Sequence, residues 1–231
     1  MIDFHSHILP GVDDGSTDLE MSLKMLQMMK QQGLDGVVAT PHFYANHDNP
    51  QKFLERRQKA EAALRKAMKG RGMPRVTVGA EVRYFDGISD CEPVDSMTIG
   101  GSKYLLVEMP HTQWSDRHYR ELLGLQQKRG ITPIIAHLDR YITPWQYRDI
   151  LDALGELPVL VQVNGEFFTR RLTRSMALKM LRQDRIHLIG SDCHNLSDRK
   201  PNMDAAIQII RKRLGESALK RIAQHESQIL A

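Results

Sequence analysis

Cysteine is scarce in this chain of 231 residues, which contains only Cys91 and Cys193. Two cysteines so far apart in the sequence do not form the disulfide framework of a small secreted domain. The scarcity of thiolates also argues against a structural zinc site, which cysteines usually provide. A reducing cytoplasm is therefore the expected compartment.

Long apolar runs are absent as well. No stretch approaches the roughly 18 residues that a membrane-spanning helix requires, so membrane insertion is not expected. Met1 leads directly into a predicted strand, without the charged and apolar regions of a signal peptide, so no such peptide is expected.

Long basic runs are the third absence. The formal net charge is +4, but the lysines and arginines are scattered along the chain. No basic run with interleaved aromatic residues predicts a nucleic-acid groove, so nucleic acid is not an expected partner. A mildly basic surface still favours an acidic or phosphorylated substrate.

Short apolar segments alternate with helical patterns along the chain. Such near-continuous apolar strands are typical of parallel sheets that are buried on both faces. No linker or strong repeat divides the sequence, so residues 1–231 are predicted to form a single α/β domain. Strands are predicted over residues 2–5, 36–40, 75–79, 104–107, 132–136, 158–163 and 186–190. Helices are predicted from Ser16 or Thr17 to residue 32, and over residues 51–68, 115–129, 144–154, 173–182, 203–214 and 217–230. The segment 84–101 has no clear period and is predicted to be irregular.

Two histidines, His5 and His7, follow one another at the end of the first predicted strand. Residues i and i+2 of a strand point to the same face, so the two imidazoles would lie side by side. Such a pair suits a borderline divalent metal. Taken alone, the pair is equally compatible with histidines that bond the backbone or water.

Residue types that ligate metals recur at the ends of later strands. In a parallel barrel these strand ends lie on one face, where catalytic residues collect. A single Glu108 or His137 has an ordinary structural explanation, but nine such residues at equivalent places do not. The set suits two or three divalent ions with open positions, and manganese, iron and zinc all fit it. The nine residues are His5, His7, Asp14, His42, Glu81, Glu108, His137, Asp192 and His194. The remaining histidines are not expected to be ligands, and they are His47, His111, His118, His187 and His225.

The motifs around these residues resemble the PHP (polymerase and histidinol phosphatase) superfamily. More narrowly, they are similar to bacterial manganese-dependent tyrosine phosphatases of capsule and exopolysaccharide gene clusters. The motifs are FHSHILPGVDDG over residues 4–15, AHLDRY over 136–141 and SDCHNL over 191–196. The resemblance implies a distorted (β/α)7, TIM-like barrel with three divalent ions, manganese foremost and iron or zinc as alternatives. It also implies a phosphotyrosine protein as substrate, namely an autophosphorylated bacterial tyrosine kinase that controls polysaccharide assembly.

The resemblance further implies which side chains hold each ion. The first ion would be held by His5, His7, Glu81 and Asp192. The second would be held by Glu81 as a bridge, with Glu108 and His137. The third would be held by Asp14, His42 and His194. Asp13 is an alternative to Asp14 in this assignment.

Arg140 and Arg199 are the expected phosphate clamps, because a guanidinium matches two phosphate oxygens. Without the resemblance, both could equally be surface arginines in loops. Together with Asp192 they form the predicted catalytic set. Water activated between ions would attack phosphorus without a covalent intermediate. Tyr141 and Phe43 are expected to flank an aromatic substrate ring.

Three alternatives remain open from the sequence. Cys193 and Arg199 have the C-x5-R spacing of cysteine-dependent tyrosine phosphatases, but their loop lacks glycine and contains Asp198, which would repel phosphate. Histidinol-phosphate phosphatase is an alternative within the same superfamily. A metal-binding docking module without catalytic activity is the third.

Overall fold

Strands and helices alternate along the chain, as the apolar pattern predicts. The computed structural model describes residues 1–142 and 147–231. The strands are β1 (Ile2–Ser6), β2 (Gly36–Ala39), β3 (His42–Phe43), β4 (Arg75–Val78), β5 (Glu81–Arg83), β6 (Tyr104–Glu108), β7 (Thr132–Ile135), β8 (Leu160–Asn164) and β9 (Leu188–Gly190). The α-helices are α1 (Leu19–Gln31), α2 (Pro50–Met68), α3 (Asp116–Arg129), α4 (Tyr147–Gly155), α5 (Glu166–Thr169), α6 (Arg174–Arg182), α7 (Met203–Leu214) and α8 (Glu216–Leu230). Of these helices, none is both long and apolar enough to cross a membrane.

Parallel pairing joins the strands into one curled layer. One sheet has the order β1-β2-β4, and the other has the order β3-β5-β6-β7-β8-β9. Because β2 runs on into β3 and β4 into β5, the two sheets continue into each other. β9 returns to β1, where the His7 N–H donates to the Cys193 carbonyl at 2.9 Å. The arrangement is the distorted (β/α)7 barrel that the resemblance implies.

The second and third strands are each interrupted near their carboxyl ends. Pro41 has no N–H to give to a strand ladder, which separates β2 from β3. Between β4 and β5 lies Gly79, where a Cβ would come within 3.1 Å of the Ile99 Cα. His42 and Glu81 therefore begin short strands of their own, and the expectation that they lie just past strand ends is wrong in this detail.

The apolar core has two parts, which follow the two faces of the strands. Alternate strand residues point to opposite faces, so β2, β6, β7 and β9 each contribute to both parts. The larger part joins strands and helices, and it includes Leu105 and Val107 of β6, Leu122 of α3 and Met25 of α1. The smaller part fills the space that the strands enclose. It consists of Phe4, Val38, Ile99, Tyr104, Leu106, Ile134, Ala136, Leu188 and Ile229.

Helix α1 begins later than predicted. Asp18 is its N-cap, and its side chain accepts a hydrogen bond from the Met21 N–H at 2.9 Å. An N-cap side chain stabilises a helix by satisfying a free N–H of the first turn. Ser16, a predicted cap, instead lies 2.8 Å from the Ser22 hydroxyl, inside the protein. The expectation of a cap at Ser16 or Thr17 is therefore wrong.

Three other regions bear on the predicted elements. The irregular segment 84–101 is confirmed and contains three short 3-10 helices. Helix α4 covers the later part of the helix predicted over 144–154, whose first residues, 144–146, lie outside the described residues. The four-residue helix α5 was not predicted, because one turn is too short to show a helical period.

Glu226 on α8 is a buried acid that is not among the predicted metal ligands, and it makes folding depend on pH. It is 3% exposed, and one oxygen accepts a hydrogen bond from the Ile2 N–H at 3.1 Å. Burial raises the pKa of this carboxyl from 4.5 to about 7. The folded protein thus holds this proton more tightly than the unfolded chain does. The resulting stability is fully present below pH 4.5 and is lost as the pH rises through about 7.

Glu226→Gln is therefore expected to lack this pH-dependent loss. Between pH 4.5 and 8 the free energy of unfolding of the wild type should fall by up to about 3 kcal/mol relative to the variant. Urea unfolding of both proteins at several pH values measures the difference. Glu216→Gln, an exposed change on the same helix, is the matched control. Parallel pH profiles for wild type and Glu226→Gln would contradict the assignment.

Candidate metal centre

The nine predicted ligands lie together at the carboxyl ends of the strands. Within residues 1–142 and 147–231, three groups have ligand atoms that all lie within 4.8 Å of one another, and each could hold an ion. The groups are His7 with Asp14, His42 and His194, then His5 with His7 and Glu81, then His42 with Glu81 and Glu108. The other two predicted ligands adjoin these groups. His137 Nε2 lies 2.9 Å from Glu81 Oε1, and Asp192 Oδ1 lies 3.4 Å from His7 Nε2.

His5 and His7 turn the same ring nitrogen toward a common point. Their Nε2 atoms are 3.1 Å apart, and they lie 3.1 Å and 3.4 Å from Glu81 Oε2. Ligand atoms at about 2.1 Å from a tetrahedral ion are about 3.4 Å from one another, so the observed spacings fit a shared cation. An irregularity in the pairing of β1 with β2, between Asp3 and Ser6, helps to aim these side chains.

The opposite nitrogen of each ring is held by a neighbour. His5 Nδ1 lies 3.1 Å from Gln162 Oε1, and His7 Nδ1 lies 2.6 Å from Asp13 Oδ2. If each Nδ1 carries the proton and donates it to these oxygens, the Nε2 lone pairs are free to bind a metal. The local hydrogen bonds therefore favour the tautomer that ligation requires.

Several polar atoms of the site are buried without a hydrogen-bond partner among the described residues. They are His42 Nδ1, Glu81 Oε2, Glu108 Oε2, His137 Nδ1 and His194 Nε2. Buried polar atoms normally have partners, and leaving one without costs free energy. A cluster of imidazole nitrogens and carboxylate oxygens at one place is thus suited to bound cations. The donor set fits divalent metals.

Burial and the close contacts between these side chains also shift their pKa values. Burial alone would lower the pKa of His7, but Asp13, Asp192 and Glu81 outweigh it and hold this pKa well above its usual value. Burial would raise the pKa of Asp192, but His5 and His7 hold it far below its usual range. Burial and the nearby His7 lower the pKa of His194 to about 3. Metal binding at such a site releases protons, because imidazole must be neutral to ligate.

Asp13 and Asp14 occupy different positions in the site. The Asp13 carboxylate already has three hydrogen-bond partners. Besides contacting His7, it accepts hydrogen bonds from the His42 N–H at 2.9 Å and the Gly15 N–H at 3.0 Å. Asp14 is 68% exposed, and its Oδ1 lies 3.5 Å from His194 Nε2. Geometry thus favours Asp14 over Asp13 as a ligand. Gly15 permits the close turn, since a Cβ there would lie 2.3 Å from the His7 carbonyl oxygen.

Two residues of β8 support the site, and the sequence reasoning missed both. Besides His5, Gln162 Oε1 contacts the His137 N–H at 2.7 Å, and Gln162 Nε2 donates to Asn164 Oδ1 at 3.1 Å. Asn164 Nδ2 in turn donates to Asp192 Oδ2 at 3.3 Å. Polar residues at alternate positions of the apolar segment VQVN were the available signal. Gln162 and Asn164 thus form one buried hydrogen-bond network that contacts three predicted ligands.

Arg140 and Arg199 meet at Asp192. Arg140 Nη2 pairs with Asp192 Oδ2, and Arg199 Nη2 lies 2.9 Å from Asp192 Oδ1. Each arginine side chain is 37% exposed, so each also faces the mouth of the site. Asp192 and His137 both have positive φ angles, of 53° and 32°. Backbone strain of this kind clusters at functional sites.

The two predicted aromatic contacts differ in outcome. Phe43 is buried, and its ring packs 5.2 Å from that of Phe53. The expectation that Phe43 flanks a substrate ring is therefore wrong. Tyr141 does adjoin the site, with its ring centroid 5.6 Å from that of His137.

Comparison with known proteins places this site in a family. Residues 1–230 match the family described as capsular polysaccharide synthesis, CpsB/CapC. The tyrosine-protein phosphatase CpsB of Streptococcus pneumoniae is 30% identical over 240 aligned residues, which cover 96% of this chain and 94% of that protein. The tyrosine-protein phosphatase YwqE of Bacillus subtilis is 29% identical over 223 residues, which cover 93% and 85%.

A solved structure shares the fold. It comes from crystallographic work on YwqE of Bacillus subtilis and CpsB of Streptococcus pneumoniae, described there as unique metal-dependent tyrosine phosphatases. Its TM-score with this chain is 0.86 at 24% identity, and the match covers 100% of this chain and 94% of the other. By the extent of the match and the similarity of these relatives, this chain belongs to the CpsB/CapC family of capsular polysaccharide synthesis.

Proposed function

We propose that this protein is a metal-dependent protein-tyrosine phosphatase. The observation that carries the proposal is a cluster of buried imidazole nitrogens and carboxylate oxygens at one end of the barrel, which have no hydrogen-bond partner in the described part of the chain. The named relatives CpsB and YwqE, which are tyrosine-protein phosphatases, support it. A docking module without catalytic activity would have no need for two arginines at the mouth of such a cluster.

The proposed ligands are the nine residues predicted from the sequence. His5, His7, Glu81 and Asp192 would hold one divalent ion, and Glu81, Glu108 and His137 a second. Asp14, His42 and His194 would hold a third. Manganese is the foremost candidate, because mixed imidazole and carboxylate ligands suit it, as they suit iron and zinc. When bound, the ions would lower the pKa of water and neutralise phosphate charge.

Arg140 and Arg199 would bind the phosphate oxygens. Both pair with Asp192, and a cation bound to Asp192 would weaken the electrostatic attraction between this carboxylate and the two arginines. Their guanidinium groups would then be free to turn toward the phosphate. Asp13 and Gln162 would keep His7 and His5 oriented through their Nδ1 atoms.

Water is the proposed nucleophile, and it attacks phosphorus in line with the leaving oxygen. Because water itself attacks phosphorus, no covalent bond forms between the protein and the phosphoryl group. Phosphotyrosine leaves as a phenolate whose conjugate acid has a pKa of about 10, so it needs less protonation than an alkoxide. The two arginines would stabilise the charge that develops on the phosphoryl oxygens.

The proposed partner is a phosphotyrosine protein, namely a bacterial tyrosine kinase that controls polysaccharide assembly. The family description, capsular polysaccharide synthesis, supports this choice. The proposed compartment is the cytoplasm, and both cysteines are free, as is usual in a reducing environment.

A substrate panel with defined metal content tests the proposal. The purified protein is stripped of metal and reloaded with manganese, and the bound ions per chain are counted by mass spectrometry. Turnover of a phosphotyrosyl peptide is then compared with turnover of histidinol phosphate. We expect manganese-dependent hydrolysis that favours the peptide. Faster hydrolysis of histidinol phosphate, or no hydrolysis of aryl phosphates, would overturn the proposal.

A further inference from the structure

Two cavities of different chemistry adjoin Arg140. The first has a volume of about 330 Å³, and charged side chains line it, among them Asp139, Glu166 and Arg170. The second is a cleft of about 260 Å³ that Arg140 also lines. Its lining combines aromatic and aliphatic side chains with polar ones such as Gln113 and Asp149. The side chains that matter here are His111, Trp114, Tyr119, Tyr141 and Ile150. We refer to it as the aromatic cleft.

Two rings of the aromatic cleft, those of Trp114 and Tyr141, have their polar atoms engaged in hydrogen bonds. Trp114 Nε1 donates to the Pro110 carbonyl at 3.0 Å, and the Tyr141 hydroxyl donates to the Met109 carbonyl at 2.8 Å. The Tyr141 ring centroid lies 5.2 Å from that of Trp114. Since the polar ends of both side chains are engaged, these two rings present fixed apolar faces to a ligand.

Tyr141 connects this cleft to the proposed metal centre. Its centroid is 5.6 Å from that of His137 on one side and 5.3 Å from that of His111 on the other. Tyr141, which lines the cleft, thus lies directly beside His137, a proposed metal ligand. In an aryl phosphate a single oxygen joins the ring to phosphorus, so the ring has to lie this close to the phosphate site.

From this geometry we infer that the aromatic cleft binds the phenyl ring of the substrate phosphotyrosine. The inference rests on the proposed function and adds the subsite for the leaving group. An apolar cavity of about 150 Å³ already accommodates benzene, so the volume is sufficient. A ring placed in the charged cavity instead would remove polar groups from water without satisfying them. Trp114 and Ile150 then determine the preference for aryl over alkyl phosphates.

Binding of two phosphonates that are not hydrolysed tests the inference. Isothermal titration calorimetry with manganese-loaded protein compares phenylphosphonate with methylphosphonate, which has the same anionic group and no ring. We expect the wild type to prefer phenylphosphonate by about tenfold or more. Trp114→Ala, which removes one wall, should reduce this preference about fivefold or more, with methylphosphonate affinity within twofold of wild type.

Ile150→Trp tests the cleft from its other wall and does not depend on the stability of Trp114→Ala. Filling the space should weaken phenylphosphonate binding and leave methylphosphonate binding unchanged. Arg170→Met, in the charged cavity, is the control, and it should leave the preference for phenylphosphonate over methylphosphonate unchanged. A wild type without a phenyl preference, or a preference that survives both cleft variants, overturns the inference. If such a protein still hydrolyses phosphotyrosyl peptide, the proposed function stands and only the subsite is wrong.

Discussion

Glu81→Gln is expected to lower kcat/KM for an aryl phosphate by at least about 10³-fold, or about 4 kcal/mol of transition-state stabilisation. Glu81 is the carboxylate on which the imidazoles converge. Its oxygens lie between 2.9 and 3.4 Å from nitrogens of His5, His7, His42 and His137. Glutamine has almost the same shape but carries no charge, and its amide nitrogen has no lone pair available to coordinate a metal ion. The proposed bridge between two ions would be lost.

Metal content separates this effect from a general loss of structure. We expect Glu81→Gln to bind fewer manganese ions per chain than wild type, measured by mass spectrometry after gel filtration, and to remain folded by circular dichroism. Glu61→Gln is the matched control, since Glu61 pairs with Arg65 on α2 and belongs to none of the candidate metal groups. If Glu81→Gln retained both its ions and activity within tenfold, the proposed bridging role would be wrong.

The sequence was informative about this centre because parallel strands impose a simple rule. Apolar runs predicted seven strands, and the rule that their carboxyl ends share one face predicted that the nine ligand candidates would meet. Seven of them share the candidate groups, and His137 and Asp192 adjoin those groups, although the nine lie between residues 5 and 194 of the chain. Neither the period of the strands nor the rule depends on the details of packing, so both could be applied without a structure.

What the sequence did not reveal depends on contacts between distant residues. Gln162 is 157 positions from His5 and 25 from His137, so no local pattern could assign it to the site. The choice between Asp13 and Asp14 depends on which carboxylate reaches the His7 ring. The strands β3 and β5 have two and three residues, which is too few to show a period of two.

Cys193→Ser is expected to keep at least about a third of wild-type kcat/KM, whereas a chelator should lower it by at least about 10³-fold. The reason is that Cys193 cannot act as a nucleophile in this fold. The side chain is 1% exposed, and burial, with the charge of Asp3 added, raises the pKa of the thiol well above its usual value. A reactive cysteine requires the opposite, an accessible thiolate with a lowered pKa.

The loop after Cys193 is also unable to cradle a phosphate. In a C-x5-R phosphatase, free backbone N–H groups of this loop bind the phosphate oxygens. Here the N–H groups of His194 and Asn195 donate to the Arg199 carbonyl, at 2.8 and 3.3 Å. The Ser197 and Arg199 N–H groups donate to Asn195 Oδ1. Four of the backbone donors that the cysteine mechanism needs are therefore already engaged within the loop.

Both chemistries can be compared in one set of assays. Cys193→Ala accompanies Cys193→Ser, because a buried serine hydroxyl without a partner costs stability, and Cys91→Ser is the control for loss of a free thiol. Activity is measured well below the melting temperature of each variant, with and without EDTA and after manganese is restored. Manganese should recover the activity of all four proteins. An inactive but folded Cys193→Ala, together with a wild type that resists EDTA, would instead establish the thiol as nucleophile and leave the metal centre without a catalytic role.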